Sequence, residues 1–422
     1  IYTLSLHDAL PILASSWNED WLDGVYNKGA LRHDHQLSLT GGTDKTNYMI
    51  SLGYVNEKGI LVNTGFERYN ARMNVDSQVT DWFKAGLSTS MSHSTSDYME
   101  ENETSATATS NPWYTSQFMA PIYQLYQKDL AGNNVLDANG NLLPDYGEDG
   151  RPTAADFNPL GDLTNDKNYN TTNNAGIRTY VTFGSDDKKM GWAQGLKLTL
   201  NFGGDYRSLN RTKKYNKYHG NQKNAGGLLQ KFNQRTQSYT FNQQLSWNRK
   251  FGEHSIGVLA AHEYYQYKFD YLEAGKTNIV DGIDELKPAS TIYAADSWAV
   301  EHDIESWLGR VNYNYNDKYY FDASIRRDGS SRFYKDNRWG TFWSVGANWR
   351  ITAEEFMKPL TWINNLSLKA SYGQNGNEGL LDYDYSYYQI GYQNYYAWQN
   401  LYTQEYPKAK IGRAVQQECR DR

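Results

Sequence analysis

The side chains that could carry out chemistry in this 422-residue chain are few and widely separated. His33 and His35 are two residues apart, a spacing that places both on one face of a strand, as metal ligands require. No further ligand lies near them in the sequence, so we expect solvated or interfacial histidines rather than a metal site. No constellation of side chains supports catalysis, and we predict that the protein is not an enzyme.

Acidic side chains between residues 137 and 149 are the other candidates for metal binding. The segment from Asp137 to Asn141 resembles a calcium loop, but its glycine stands at the fourth position and no glutamate closes it. We therefore predict a small hairpin from Val135 to Leu143 with a type I′ turn at Asn139-Gly140. No cofactor is expected.

Asp145, Glu148 and Asp149 form an acidic cluster in the same region. Carboxylates of this kind hold structural calcium in some proteins and are solvated at loop tips in others. Both interpretations remain open for this cluster, so structural calcium in the external loops is kept as an alternative to no metal at all.

Aromatic and amide side chains in one polar region indicate binding of a carbohydrate. Trp113 and Tyr114 follow an Asn-Pro pair, and Tyr123 and Tyr126 come shortly after them. Sugar rings stack on aromatic faces and exchange hydrogen bonds with Asn, Asp and Arg. We predict these four residues as candidate ligand contacts. The alternative is that they pack the loop or meet a partner protein.

Composition narrows the class of protein that must position these residues. Hydrophobic residues make up 39% of the chain and no apolar run approaches the roughly 18 residues of a membrane helix. Aromatic residues reach 15%, with 36 Tyr, more than an ordinary core requires. The net charge of -6 argues against nucleic-acid binding. The single cysteine, Cys419, excludes a disulfide framework.

Alternation of apolar and polar residues begins near His35 and predicts amphipathic strands. Ile50 and Leu52 fall on one face of such a strand, whereas Ser51 and Gly53 fall on the other. The pattern recurs about a dozen times, each run near the roughly 9–11 residues that cross a bilayer at a tilt. The predicted outward residues include Leu87, Val181, Leu198, Leu245, Val258, Val311, Phe321, Val345 and Leu368.

Short charged turns and long polar loops connect these strands in turn. Alternation stops at about 92–174, a length that is typical of an external loop in an outer-membrane barrel. We therefore predict an all-β fold, an incomplete antiparallel transmembrane β-barrel over residues 35–409. Asp322 and Arg326 are predicted to face its lumen together with Ser324, as candidate ligand contacts.

Both ends of the chain look foreign to this pattern. Residues 1–12 and 410–422 resemble in-frame translations of sequencing adapters, and we interpret both as non-native. The start also lacks the basic n-region of a secretory signal. Residues 13–34 are expected to be a linker that leads into the barrel.

Long ordered stretches resemble SusC/RagA-type TonB-dependent outer-membrane transporters. The first is LSLTGGTDKTNYMISLGYVNEKGI and the second NTGFERYNARMNVDSQVTDWFKAGLSTS. Later stretches are GRVNYNYNDKYYFDASIRRDGSSRF, RWGTFWSVGANWRI and LSLKASYGQNGN. This resemblance implies a barrel of about two dozen strands in outer-membrane lipid, closed by a plug domain and energised through the TonB complex. It also implies a SusD-like surface lipoprotein as partner.

The resemblance leads us to expect TonB-dependent import of an oligosaccharide. Peptide import by the same architecture is the first alternative. A plug-free porin or structural barrel and a surface adhesin are the others. No plug domain or TonB box is recognisable in the sequence, so the expected protein is a fragment of such a transporter.

Overall fold

The computed structural model describes residues 18–98, 111–146, 158–220, 222–379, 381–383, 391–393, 395–396 and 398–399. The adapter-like segments lie outside these ranges. So do Glu148 and Asp149 of the acidic cluster, and residues 385–390 of a further strand that the sequence pattern predicts around Tyr385–Tyr392.

One antiparallel sheet of twelve strands dominates the fold, and its strands pair in the order of the chain. This confirms the predicted all-β class and the count of about a dozen strands. The strands are β1 (Arg32–Gly42), β2 (Thr46–Lys58), β3 (Gly65–Thr80), β4 (Phe83–Asp97), β5 (Lys167–Gly184), β6 (Leu196–Tyr215), β7 (Leu228–Phe251), β8 (His254–Thr277), β9 (Thr291–Tyr315), β10 (Tyr319–Ser330), β11 (Trp339–Arg350) and β12 (Ser367–Gly373).

Helices are short and lie outside the sheet. Among the described residues, the α-helices are α1 (Trp21–Val25), α2 (Pro112–Phe118) and α3 (Pro159–Asn165), and the 3₁₀ segments are Lys188–Ala193, Lys223–Ala225, Ile351–Ala353 and Glu355–Met357. A separate two-stranded sheet pairs β13 (Leu381–Tyr383) with β14 (Gly391–Gln393). None of the helices in the described ranges is long and apolar enough to cross a bilayer.

The two ends of the large sheet differ in their connections. One end carries residues 43–45, 81–82, 185–195, 252–253, 316–318 and 351–366, and the other carries 59–64, 98–166, 216–227, 278–290 and 331–338. At the first end, Asn316 and Asp317 have φ of 51° and 52°, which gives the tight turn between β9 and β10 a type I′ geometry. Because short turns face the periplasm in such barrels, the second end is external.

The two faces of the sheet also differ. Phe321 and Ile325 of β10 are 47% and 55% exposed on one face, with Asp322 and Ser324 on the other. Contiguous exposed apolar side chains would be a liability in water. They are what lipid requires, so the apolar face is the membrane face and the polar face lines the lumen.

A small hydrophobic core lies at the external end. It buries Trp21, Val25, Met119, Leu125, Leu160 and Leu163. These residues come from α1, from α2 and its continuation, and from α3. Residues 18–31 are therefore more than the linker that we had expected, because α1 packs against the long loop. The first strand also begins earlier than expected, at Arg32.

The long external loop is shorter than the expected 92–174. Strand β4 continues to Asp97 and β5 begins at Lys167. The sequence pattern ends early because both faces of a strand meet water once it rises above the bilayer. Its side chains are then polar on both sides, and the period of two disappears.

The hairpin around residues 135–143 forms, but its turn was assigned wrongly. Leu136 pairs with Leu142, and the backbone of Asp137 bonds Asn141. Gly140 has φ of 83°, whereas Asn139 is not among the residues with positive φ. A type I′ turn needs positive φ at both central residues, so this is the three-residue connection with a type I turn and one left-handed glycine.

Candidate functional site

The polar face of the sheet lines a cavity of about 660 Å³ along β3 to β8. At one side of it, the Ser88 hydroxyl donates to Asn74 Oδ1 at 2.6 Å, and the Tyr180 hydroxyl donates to Asp76. Gly86 lies directly beneath the Tyr180 ring, where an added Cβ would collide with the ring carbons. A glycine on this strand thus makes room for a long polar side chain on the next.

Neutral amides continue this surface across β6 and β7. Asn201 Nδ2 donates to Asn242 Oδ1 at 3.1 Å, and Gln244 Nε2 donates to the same oxygen at 2.7 Å. Asn242 Nδ2 in turn donates to Glu263 Oε2 at 3.2 Å. A row of this kind leaves further donors and acceptors directed into the cavity, since each amide has two of each.

The charged side chains that line this cavity have charged partners. Arg178 Nη2 lies 2.6 Å from Asp205 Oδ2, and its Nη1 donates to the backbone oxygens of Ile177 and Gly204. The lumen wall therefore offers hydrogen-bonding groups with little net charge at this height.

The predicted lumen residues Asp322 and Arg326 do share the polar face of β10. Arg326 Nε donates to Asp328 Oδ1 at 2.7 Å, and its Nη2 donates to Ser306 Oγ at 3.0 Å and lies 3.7 Å from Glu263. Asp322 lies four residues nearer the periplasm, in a separate cavity of about 550 Å³. The two residues therefore line different levels of the wall, and their part in ligand binding stays a prediction.

The four predicted aromatic contacts divide into two pairs. Trp113 and Tyr114 lie on α2 with 37% and 44% of their surfaces exposed. Trp113 meets Tyr26 edge-on at 5.7 Å between ring centroids. Tyr123 and Tyr126 pack against the external core, and burial raises the pKa of Tyr126. The first pair is thus exposed, whereas the second is packed against the external core, and contact of any of the four with a ligand stays a prediction.

A buried acid–histidine cluster in the external loops was not foreseen from the sequence. Asp162 Oδ1 lies 3.2 Å from His219 Nδ1, and the imidazole stacks on Tyr146 at 4.2 Å between centroids. Asp166 Oδ1 accepts from the backbone and side-chain nitrogens of Asn216 at 2.7 and 2.6 Å. We call Asp162, Asp166, Asn216 and His219 the loop latch, because they join α3 to the β6–β7 loop.

The latch carboxyls are perturbed by their surroundings. Burial raises the pKa of Asp162, and burial together with the neighbouring Asp162 carboxyl raises the pKa of Asp166 to about 7. No signal in the sequence could have found this cluster, because its two halves, Asp162 with Asp166 and Asn216 with His219, are fifty or more residues apart and only the loop fold brings them together.

The sequence's metal candidates are engaged in other contacts. Asp137 Oδ1 accepts from the backbone nitrogens of Asn139 and Asn141, both at 2.8 Å, so its carboxylate stabilises the hairpin turn. His33 and His35 stack at 6.2 Å on the apolar face of β1, at its external end. Within the described ranges, no group of three or more acidic, histidine or cysteine side chains is arranged to hold a metal.

The fold and the two faces define an outer-membrane β-barrel protein with a polar lumen. The family described as "TonB dependent receptor-like, beta-barrel" matches residues 123–406. The chain belongs to this family of receptors, whose members are not enzymes, and it is located in the outer membrane.

Individual relatives agree with this placement. TonB-dependent receptor P3 of Formosa agariphila is 28% identical over 377 residues, covering 87% of this chain and 35% of that protein. TonB-dependent receptor SusC of Bacteroides thetaiotaomicron is 26% identical over 419 residues, covering 95% and 40%. The chain thus spans well under half the length of these relatives.

Solved structures share the fold. The RagAB peptide transporter superposes with a TM-score of 0.71 at 22% identity, covering 94% of this chain and 41% of that one. Together with SusC, this likeness confirms the resemblance to SusC/RagA-type receptors that the sequence motifs indicated.

Proposed function

We propose that this chain is the barrel wall of a TonB-dependent importer that carries a neutral oligosaccharide across the outer membrane. The observation that carries the proposal is the cavity along β3 to β8, which is lined by amides and hydroxyls and whose charged side chains have charged partners. Such a surface can exchange hydrogen bonds with many hydroxyls, and it spares an uncharged ligand from facing unpaired charges.

The exposed aromatic pair adds to this proposal. Trp113 and Tyr114 lie on α2 at the external end, where a ligand arrives first. Sugar rings stack on such side chains, and stacking of this kind tolerates variation in the ring substituents. The inferred path runs from the aromatic pair at the mouth to the amide row in the lumen.

In this proposal, partner proteins supply the energy for transport and help to capture the ligand. We infer a plug domain in the lumen that couples to the TonB complex, and a SusD-like surface lipoprotein that covers the external end. The lipid-facing surface requires outer-membrane lipid as its third partner. Peptide import is the second candidate, favoured by the shared fold with a peptide transporter, and a porin without a plug is a more distant one.

Ligand binding by the full-length protein tests the proposal. Calorimetry with a panel of neutral oligosaccharides and a panel of mixed peptides should give binding only for members of the first panel. Trp113→Ala should weaken that binding about tenfold or more, since one stacking contact contributes about 0.5–1.5 kcal/mol beyond its buried area.

Leu130→Ala is the matched control, because Leu130 is a fully exposed apolar residue of the same loop. It should leave affinity unchanged. Binding of peptides with no response to any oligosaccharide would refute the glycan proposal and favour peptide import instead. Equal losses in both variants would show that the aromatic pair acts through loop stability.

A further inference from the structure

A polar cluster interrupts the apolar, lipid-facing side of the sheet near its external border. Gln243, His262, Trp307 and Arg327 are paired neighbours on β7, β8, β9 and β10. They share the face of Phe321 and Ile325, so they point to lipid rather than to the lumen. Charged side chains on this face are costly at mid-depth and are tolerated near the borders.

Distance along β10 places Arg327 at the external border. Tyr319 begins the strand at the periplasmic turn, where it stacks with Tyr315 at 6.4 Å as part of an aromatic girdle. Arg327 is eight residues further, about 27 Å along the strand and about 20 Å in height at the usual tilt. The apolar band of a barrel is about 25 Å tall, so the Cα atom of Arg327 lies about 5 Å below its external border. The long side chain can extend over that distance, which brings the guanidinium to the head groups.

Arg327 is available for an anionic ligand. It is exposed, and its contact among the described residues is with the ring of Trp339, 5.4 Å from the centroid. Glu305, the nearby acid on this face, is instead held by His262, whose Nε2 lies 3.2 Å from Glu305 Oε1. The neighbouring Arg326, by contrast, is paired with acids on the lumen face.

Directly below the polar cluster the surface is hollow. Ala260 and Gly309 are paired neighbours between the larger Leu245 and Ile325, and they leave a depression of about 370 Å³. Gly309 has no packing reason to lack a side chain, because an added Cβ would meet Ile325 alone, at an ordinary 3.4 Å. The depression is apolar and runs toward the bilayer centre.

We propose that this cleft, formed by Ala260, His262, Trp307, Gly309 and Arg327, binds one molecule of the phosphorylated glycolipid of the outer leaflet. One acyl chain lies over Gly309 and Ala260, and a head-group phosphate pairs with Arg327. The His262 ring, tilted against Trp307 at 4.2 Å between centroids, forms the wall beside the phosphate. A guanidinium at the border of the hydrocarbon is stabilised by such a partner, and a charge-assisted bond to phosphate is strong.

Native mass spectrometry of the full-length protein in detergent, with lipid A added, tests this site. We expect one tightly bound lipid A molecule. Arg327→Gln should weaken lipid A binding about tenfold or more. Arg327→Lys should retain part of the affinity, since lysine keeps the positive charge but cannot donate the two parallel hydrogen bonds of a guanidinium. Gly309→Leu keeps the charge and fills the depression, so it should weaken binding as well.

Arg249→Gln provides the matched control. Arg249 lies on the same face near the periplasmic border, with its guanidinium 4.9 Å from the Phe251 ring, and its loss should leave lipid A binding unchanged. Inorganic phosphate alone should not compete. Undiminished lipid A binding by correctly assembled Arg327→Gln or Gly309→Leu protein would overturn the proposal, as would displacement of the lipid by free phosphate.

Discussion

Arginine substitutions along β6 provide a quantitative test of which face meets the lipid. Leu196, Leu198 and Leu200 point to the apolar side, and Thr199 points to the lumen, where its hydroxyl lies 3.0 Å from that of Thr182. The substitutions Leu196→Arg, Leu198→Arg and Leu200→Arg place the same cation at three depths. Thr199→Arg places it one residue away on the other face.

The expected loss of folding free energy depends on how deep in the bilayer each substituted residue lies. The apolar run of β6 extends from Leu196 to Tyr206, ten residue steps that rise about 24 Å at a tilt of about 45°. Leu200 lies about 10 Å above the lower border, close to the midplane. A cation there costs about 2–4 kcal/mol, whereas one at Leu196 costs about 0–1 kcal/mol.

The lumen-facing variant, Thr199→Arg, should lose much less folding free energy. Thr199→Arg removes one hydroxyl contact, about 1 kcal/mol or less, and its cation is solvated in the lumen. Leu200→Arg should therefore reduce the folding equilibrium about 30- to 1000-fold, and Thr199→Arg by less than about tenfold.

Urea unfolding of the full-length protein in lipid vesicles measures these costs, with a heat-modifiable band in the outer-membrane fraction as the check in cells. Leu198→Arg should fall between its neighbours. Equal costs at residues 199 and 200 would show that the assignment of faces is wrong. A cost at Leu196 as large as that at Leu200 would refute the placement of the membrane along the strand.

Two further predictions concern the external loops. Because the pKa of Asp166 is raised, its contribution to the loop latch is complete below about pH 4 and is lost as pH rises through about 7. The protection factors of the amides of residues 158–166, which correct hydrogen exchange for its intrinsic base catalysis, should therefore be higher at pH 5 than at pH 8. Asp166→Asn should flatten this dependence, and lower protection at pH 5 would contradict the assignment. Asn158 donates to the backbone oxygens of Leu125 and Asp145 at 2.9 and 2.8 Å and caps α3. Asn158→Ala should cost about 2–4 kcal/mol of loop stability, seen as faster proteolysis within residues 120–146, whereas the exposed Thr164→Ala should be near neutral.

The strands in the membrane were predictable residue by residue. Ile50 and Leu52 alternate with Ser51 and Gly53 in the sequence, and β2 places each pair on a separate face. One face of such a strand meets hydrocarbon and the other meets water, so every second residue in the sequence must be apolar. The tight turn at Asn316-Asp317 was predictable for a related reason, since both residues tolerate positive φ.

The external core and the loop latch were beyond the same reasoning. Trp21 packs with Leu160 although some 140 positions separate them in the sequence, and no periodicity connects the two. The latch pairs Asp162 with His219 in a similar way. Burial in these loops depends on which loop segments pack against each other above the barrel. Sequence patterns of period two or 3.6 do not report which segments pack together.

The external halves of β7, β8 and β9 show which part of a strand the hydrophobic alternation marks. These strands have 24 or 25 residues, more than twice the length that a bilayer requires. Their upper halves are joined across strands by Arg235–Asp270 and Lys268–Glu301, at 3.0 and 2.8 Å. Exposed pairs of this kind contribute little each, so the backbone ladder of the sheet does most of the stabilisation there. Hydrophobic alternation therefore marks the extent of the membrane rather than the extent of the sheet, and the sheet continues as an external wall.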